Sequence, residues 1–123
     1  MAFAERRKYP RVFESIPCRI GVGPSGFPAQ TTNLSCGGAL CRLPKALPAM
    51  TKLNVLLHLS LKNNNPQKIQ CAGVVVRQDH QLDPAGQPSY LTAIYFSDIK
   101  VEDRRKIGEF VLQSMLSHDR RHS

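Results

Sequence analysis

The protein has 123 residues, of which 41% are apolar and 21% are charged, a composition that suits one globular domain and excludes wholesale disorder. Its net charge of +8 favours an anionic partner such as a nucleotide, a nucleic acid, a phosphorylated ligand or a membrane surface. No stretch approaches the roughly 20 apolar residues of a membrane-spanning helix, and no secretory signal is visible. The four cysteines lack zinc-site spacing, so we expect free thiols in a cytoplasmic protein.

The positive charge belongs to the N-terminal half of the chain. Residues 1–20 contain five basic and two acidic side chains, and residues 21–60 contain three basic and no acidic ones, which together account for +6 of the net charge. Residues 1–11 are polar and terminal, so we expect them to form a flexible basic arm.

The arm contains the first candidate motif, Arg6-Arg7-Lys8-Tyr9-Pro10-Arg11. Pro10 favours an extended conformation at Tyr9, and an extended backbone of about 3.3 Å per residue would separate Arg7 and Arg11 by roughly 13 Å. Two guanidinium groups at that separation suit a compact anionic ligand, and arginine also pairs with the O6 and N7 edge of guanine. Taken alone, the pattern is weak and is more typical of a solvated basic tail.

Residues with strand periodicity follow the arm. In the clearest case Leu53, Val55, Leu57, Leu59 and Leu61 alternate with polar residues, which is the period of a half-buried strand. Pro17 indicates an edge position or a bulge in the first strand, because it has no N–H to donate. The predicted strands are residues 12–20, 29–34, 38–42, 53–62, 69–78 and 90–96, with a long polar loop from Asp79 to Ser89.

The second candidate motif, Asn33-Leu34-Ser35-Cys36-Gly37-Gly38, falls between two of these strands. Asn and Ser side chains fix turns through backbone hydrogen bonds, and adjacent glycines permit positive φ and a close approach of ligand to backbone. Exposed N–H groups in such a turn can bind an anion. A well-made turn without a ligand explains the same residues.

One helix is predicted at the C-terminal end, over residues 97–117, with residues 118–123 as a tail. Ser97 or Asp98 would cap the helix, and the spacing of Ile107, Phe110, Val111 and Ser114 makes a narrow stripe that would pack on the sheet. Six short strands and one helix predict an all-β domain, an antiparallel barrel or sandwich.

In this order and about twenty residues apart, the two motifs resemble the PilZ domain family of bacterial cyclic di-GMP receptors, whose hallmarks are RxxxR and [D/N]xSxxG. The matching residues are Arg7 to Arg11 and Asn33 to Gly38. The resemblance covers roughly residues 5 to 116. It implies a six-stranded antiparallel β-barrel over residues 12–96, followed by a C-terminal α-helix.

The resemblance also implies a ligand and roles for particular residues. Arg7 and Arg11 would contact the phosphates and guanine edges of cyclic di-GMP, Asn33 and Ser35 would hydrogen-bond a guanine and shape the turn, and Gly38 would keep the backbone clear of the ligand. Tyr9 would either stack on a base or fold onto the barrel. The expected ligand-binding residues are Arg6, Arg7, Arg11, Asn33, Ser35, Gly37 and Gly38, with no cofactor or metal.

The sequence favours a receptor that passes its signal to an unidentified effector protein when the arm becomes ordered. In the family the outputs include motility, surface attachment in biofilms, exopolysaccharide production and virulence. One alternative is a PilZ-fold interaction module that does not bind the nucleotide. Another is a basic barrel that binds RNA or single-stranded DNA, which the small number of aromatic residues disfavours.

Catalysis is not expected. No nucleophile elbow, phosphate-binding loop or dinucleotide fingerprint appears in the sequence. His118 and His122 have the spacing of a metal pair on a helix, but a frayed terminus explains them better.

Overall fold

The computed structural model describes residues 9–60 and 66–122, with side chains described up to residue 117. Six antiparallel strands form a closed barrel in the order β1-β2-β3-β6-β5-β4, and one helix follows. This confirms the predicted fold class. The elements are β1 (Pro17–Val22), β2 (Ser25–Leu34), β3 (Gly38–Leu43), β4 (Lys52–Leu59), β5 (Gln67–Leu82), β6 (Pro88–Asp98) and α1 (Val101–His122).

The core fills the interior of the barrel with the alternate residues of every strand. Along β4, Leu53, Val55, Leu57 and Leu59 are all buried, as their period-two spacing predicts. Leu61, the last member of the predicted alternation, lies outside the described residues. The helix covers one end of this core with Ile107 and Val111, which are buried, and Phe110 packs beside them.

The first strand begins later than the alternation of residues 12–20 predicts. Residues 12–16 precede β1 and run beside β2, where Val12 forms an isolated bridge with Leu34. Pro17 is the first residue of β1 and pairs only with β2, since the pairing with β4 starts one residue later. Closure of the barrel leaves β1 no free edge, so Pro17 is accommodated at the strand end instead.

The predicted loop from Asp79 to Ser89 is wrong. β5 continues to Leu82, and β6 begins at Pro88, so most of the segment is a paired hairpin. The Asp83 carboxylate accepts hydrogen bonds from the N–H groups of Ala85 (2.9 Å) and Gln87 (2.8 Å), and Gly86 has φ +84°. This part of the hairpin is mostly exposed, so its polar residues carry no hydrophobic alternation that would reveal a strand.

The helix also differs from the predicted bounds of residues 97–117. Ser97 and Asp98, the predicted caps, belong to the end of β6, and the helix begins at Val101 and ends at His122. Glu102 and Asp103 lie in its first turn, where negative charge complements the helix dipole. The side chains of His118 and His122, whose spacing we attribute to a frayed terminus, lie outside the described part of the structure.

All four cysteines are free thiols. Cys18, Cys41 and Cys71 are buried in the core, and Cys36 is half-buried. Burial is the main reason why the pKa of Cys71 rises to about 11, with the negative charges of Asp103 and Asp98 acting in the same direction. None of the described helices is long and apolar enough to cross a membrane.

Candidate functional site

A two-residue β-bridge brings the two candidate motifs together. The N–H of Val12 donates to the carbonyl of Leu34 at 3.0 Å, and the N–H of Leu34 donates to the carbonyl of Val12 at 2.9 Å. Val12 and Leu34 are both buried, which anchors this contact in the core. Arg11, the last residue of the first motif, is exposed and directly precedes the bridge. The chain that carries the arginines therefore enters the barrel beside the second motif.

Arg6 and Arg7 lie outside the described residues. Of the seven predicted ligand-binding residues, the structure describes Arg11, Asn33, Ser35, Gly37 and Gly38. These five residues lie around the end of β2 and the start of β3, where the bridge holds the end of the arm.

The second motif forms a compact turn between β2 and β3. The N–H of Ser35 donates to the carbonyl of Gly38 at 2.9 Å, and the Ser35 hydroxyl oxygen accepts from the N–H of Gly37 at 3.2 Å. The N–H of Phe96 donates to the carbonyl of Gly37 at 2.9 Å, which fixes the turn to β6. In this structure the Ser35 side chain therefore shapes the turn itself.

The two adjacent glycines do not use the positive φ that glycine permits; among the described glycines, that conformation occurs at Gly23 and Gly86. A Cβ on Gly38 would overlap the backbone carbonyl oxygen of Ile94 and lie 3.3 Å from the Cα of Tyr95. Close packing of β3 on β6 is thus a sufficient reason for glycine at position 38, whether or not a ligand also approaches it.

Gly37 has a different neighbour. A Cβ on it would lie 3.1 Å from Cδ2 of Tyr9, so the tyrosine ring covers this glycine. The guanidinium carbon of Arg104, on α1, lies 5.8 Å from the centre of the same ring, a cation–π distance. Of the two alternatives for Tyr9, the structure has the ring folded onto the barrel.

Arg104 connects the helix to both motifs, although it belongs to no motif in the sequence. Besides its contact with Tyr9, its backbone carbonyl accepts a hydrogen bond from the Cys36 thiol at 3.5 Å. Burial raises the pKa of Cys36, and the positive charge of Arg104 partly opposes that shift. Its Nε is buried and has no hydrogen-bond partner. A helix position separated from both motifs by more than sixty residues gives no local sequence signal, so only the fold reveals this contact.

The outer face of the sheet next to the turn combines apolar and polar side chains. Cross-strand pairing places Asn33 opposite Leu40, Leu40 opposite Ala93, and Ala93 opposite Arg77, so one row crosses β2, β3, β6 and β5. Leu40 and Ala93 are half-buried and form the middle of the row, while Arg77 is exposed at its far end. Asn33 is largely buried beside the turn.

Two concave surfaces accompany the site. A wide cleft of about 810 Å³ on the outside of β1, β2 and β3 is lined by residues that include Phe13, Arg19 and Arg42, but by none of the predicted ligand residues that the structure describes. A groove of about 480 Å³ on α1 adjoins the turn at Cys36 and Arg104. No group of three or more potential metal ligands occurs among the residues that are described.

Solved structures with this architecture are known. MotI/DgrA, an inhibitor of motility from Bacillus subtilis, superposes with a TM-score of 0.76 at 21% identity, over 91% of this chain and 52% of that chain. The PilZ domain of YcgR from Escherichia coli with c-di-GMP gives 0.70 at 12% identity, over 95% and 97%. The MrkH–c-di-GMP complex of K. pneumoniae gives 0.73 at 22% identity, over 94% and 54%.

The chain spans about half the length of MotI and MrkH, and nearly all of the YcgR domain. At these identities the similarity shows a shared fold. No curated protein sequence matched the chain. The model of the PilZ domain matches residues 5–113, which include both motifs, the whole barrel and more than half of the helix. The protein is therefore a member of the PilZ domain family.

Proposed function

We propose that this PilZ domain is a receptor for cyclic di-GMP. The observation that carries the proposal is the Val12–Leu34 bridge, which sets Arg11 beside the turn that contains Asn33 and Ser35. Two structures with this fold, the YcgR domain and MrkH, are described with c-di-GMP. The net charge of +8 suits a ligand with two phosphates.

The chemistry of the site matches the parts of this ligand. Arg7 and Arg11 supply guanidinium groups for the phosphates and for the O6 and N7 edges of guanine, and Arg6 adds positive charge beside them. The amide oxygen of Asn33 accepts from guanine N–H groups, with less charge assistance than an aspartate would give. Ser35, Gly37 and Gly38 contribute the shaped turn, so their role in binding is mainly to position backbone groups.

Calorimetric titration of the purified protein with cyclic di-GMP tests the proposal, with GTP, cyclic GMP and cyclic di-AMP as competing ligands. We expect selective binding of cyclic di-GMP at micromolar concentration or tighter. Arg11→Ala should weaken it about ten- to hundredfold, since a hydrogen bond to a charged group contributes roughly 1.5–3 kcal/mol. Lys68→Ala removes an equal charge from an exposed position on β5, and this control variant should bind cyclic di-GMP with the affinity of the wild type. Unchanged affinity in Arg11→Ala would remove that residue from the site.

The second part of the proposal concerns how the signal leaves the domain. Cyclic di-GMP would act through ordering of the N-terminal arm, which creates or hides a surface for an effector protein, because a ligand shifts an equilibrium only through contacts that differ between two states. Amide hydrogen exchange over residues 5–11 should slow when the nucleotide binds. Exchange that is unaffected by saturating nucleotide would exclude this mechanism.

A PilZ-fold interaction module without nucleotide affinity is the second candidate function. It is favoured by the contacts that already occupy the turn, since Tyr9 covers Gly37 and the Ser35 hydroxyl bonds within the turn. The same titration separates the two candidates. If cyclic di-GMP produces no binding heat and does not change the melting temperature, the interaction module remains as the function. Neither candidate includes a catalytic step. A reducing cytoplasm is the proposed location, because it suits four free thiols.

A further inference from the structure

Tyr95 lies on the ligand side of the barrel in a position that the two motifs do not define. The register of β3 and β6 pairs Tyr95 directly with Gly38, the last residue of the second motif. Its neighbours in sequence, Ile94 and Phe96, are buried in the core, so Tyr95 occupies the opposite, outer face of β6. The N–H of Phe96 bonds to the carbonyl of Gly37, which ties this part of β6 to the turn.

The Tyr95 side chain is 56% exposed, although it adjoins the most constrained part of the fold. Gly38 on one side offers no side chain to cover the ring, and Val74 on the other side is half-buried. The structure records aromatic and cation–π contacts for Tyr90 and for Tyr9, but none for Tyr95 among the described residues. The two cross-strand neighbours of Tyr95 thus leave its aromatic ring accessible.

The distance from Tyr95 to Asn33, the first residue of the second motif, suits a dinucleotide. Tyr95 is separated from Asn33 by two strand spacings across the sheet and by two residues along it, which is roughly 12 Å between their Cα positions. Leu40 and Ala93 lie beside the line that joins the two residues, on the same outer face, and form an apolar floor. A cyclic dinucleotide that lies on this floor spans the distance from the amide to the ring.

We propose that Tyr95 is the stacking platform for one base of the bound nucleotide, while Asn33 contacts base edges at the other side of the floor. This inference rests on the proposed receptor function. A phenol ring and a purine stack through their flat apolar faces, and the interaction tolerates any base. Tyr9 is not available in the same way, because its ring already packs on Gly37 and below the Arg104 guanidinium.

Titration of a series of variants with cyclic di-GMP tests the platform. Tyr95→Ala should weaken binding roughly five- to a hundredfold, the range typical for loss of one aromatic platform, and Tyr95→Phe should stay within about twofold of the wild type. Tyr90→Ala is the matched control on the same strand, where the ring packs against His80 at 4.8 Å, and it should bind normally as long as its melting curve shows a folded domain.

A stacking role also makes two predictions that a structural role does not. The preference for cyclic di-GMP over cyclic di-AMP should survive in Tyr95→Ala and shrink in Asn33→Ala, because stacking does not read base edges. The protein has no tryptophan, so Tyr95→Trp introduces a single indole whose fluorescence should be quenched when the nucleotide binds. A preference that collapses in Tyr95→Ala, or an indole that does not respond to bound nucleotide, would overturn the platform.

The outcomes separate this inference from the receptor proposal. If the wild type does not bind cyclic di-GMP, both fail together. If the wild type binds, Arg11→Ala loses affinity and Tyr95→Ala does not, the receptor stands and the platform is refuted.

Discussion

Gly38→Ala is the substitution whose consequence the structure defines most sharply. The new methyl group would overlap the carbonyl oxygen of Ile94 and would lie 3.3 Å from both the Ile94 carbonyl carbon and the Tyr95 Cα. All three atoms belong to the backbone of β6, which is held in register with β3 over six residue pairs. No side chain can rotate away to make room, so the two strands must separate locally.

The size of the effect follows from the cost of forcing atoms into a packed region. Insertion of an extra carbon where the neighbours cannot move typically costs about 1–3 kcal/mol, and the rigid backbone places this case at about 2–3 kcal/mol. An unfolding entropy of about 2.1 cal/mol/K per residue gives roughly 260 cal/mol/K for a domain of this size. The melting temperature should therefore fall by roughly 8–12 °C.

Thermal and urea unfolding of Gly38→Ala, measured without nucleotide, checks this magnitude. Gly37→Ala is the control, because the only close approach of its methyl group, 3.1 Å, would be to the Tyr9 ring, and a side chain near the end of the arm can shift. We expect it to lose less than about 1 kcal/mol. Equal stability of the two variants would show that the close packing of β3 on β6 is not what requires glycine at position 38.

Two further predictions concern the stability of the barrel. Thr31→Val removes a buried hydroxyl that accepts a hydrogen bond from the N–H of Ile16 at 3.0 Å and donates one to the carbonyl of Glu14. The substitution should lower the free energy of unfolding, measured in urea, by about 1–3 kcal/mol. Thr32→Val, which loses one longer hydrogen bond, should lower it clearly less, and equal losses would contradict this. Because the pKa of Cys71 is raised in the folded protein, its thiol loses its proton at lower pH in the unfolded chain than in the folded one. The free energy of unfolding should therefore fall as the pH rises from about 9 to 11. At about 1.4 kcal/mol per pKa unit, the fall is at most roughly 3 kcal/mol. Cys71→Ala should show a smaller fall over that range, and parallel pH profiles for the two proteins would refute the assignment.

The sequence predicts the barrel well where one face of a strand is buried and the other is exposed. Leu53 to Leu59 alternate so strictly that β4 follows from hydrophobicity alone. The same rule fails for the outer half of the β5–β6 hairpin, because most side chains of that segment are exposed and no hydrophobic alternation is required. Hydrophobic alternation also places the start of β1 too early in the chain, because Val12 is buried through an isolated bridge to Leu34 and not as part of the strand.

The candidate site is predictable only to the extent that it is local in sequence. The turn from Asn33 to Gly38 is recognisable because its hydrogen bonds join residues a few positions apart. Tyr95 and Arg104 reach the same region through cross-strand register and helix packing, which short patterns do not encode. The close packing that requires glycine at position 38 is not predictable from a local pattern either, because the neighbouring residue Ile94 is more than fifty residues distant in sequence.

The pairing of Gly38 with Tyr95 also sets a condition on synthesis of the chain. The two residues are 57 positions apart, so the turn of the second motif leaves the ribosome well before the strand that holds it in place. At a typical 5–20 residues per second, this interval lasts roughly 3–11 s. During that time β3 has no β6 to pair with, and the floor between Asn33 and Tyr95 does not exist. Nascent chains should therefore acquire the site in a single late step, when β6 closes the barrel.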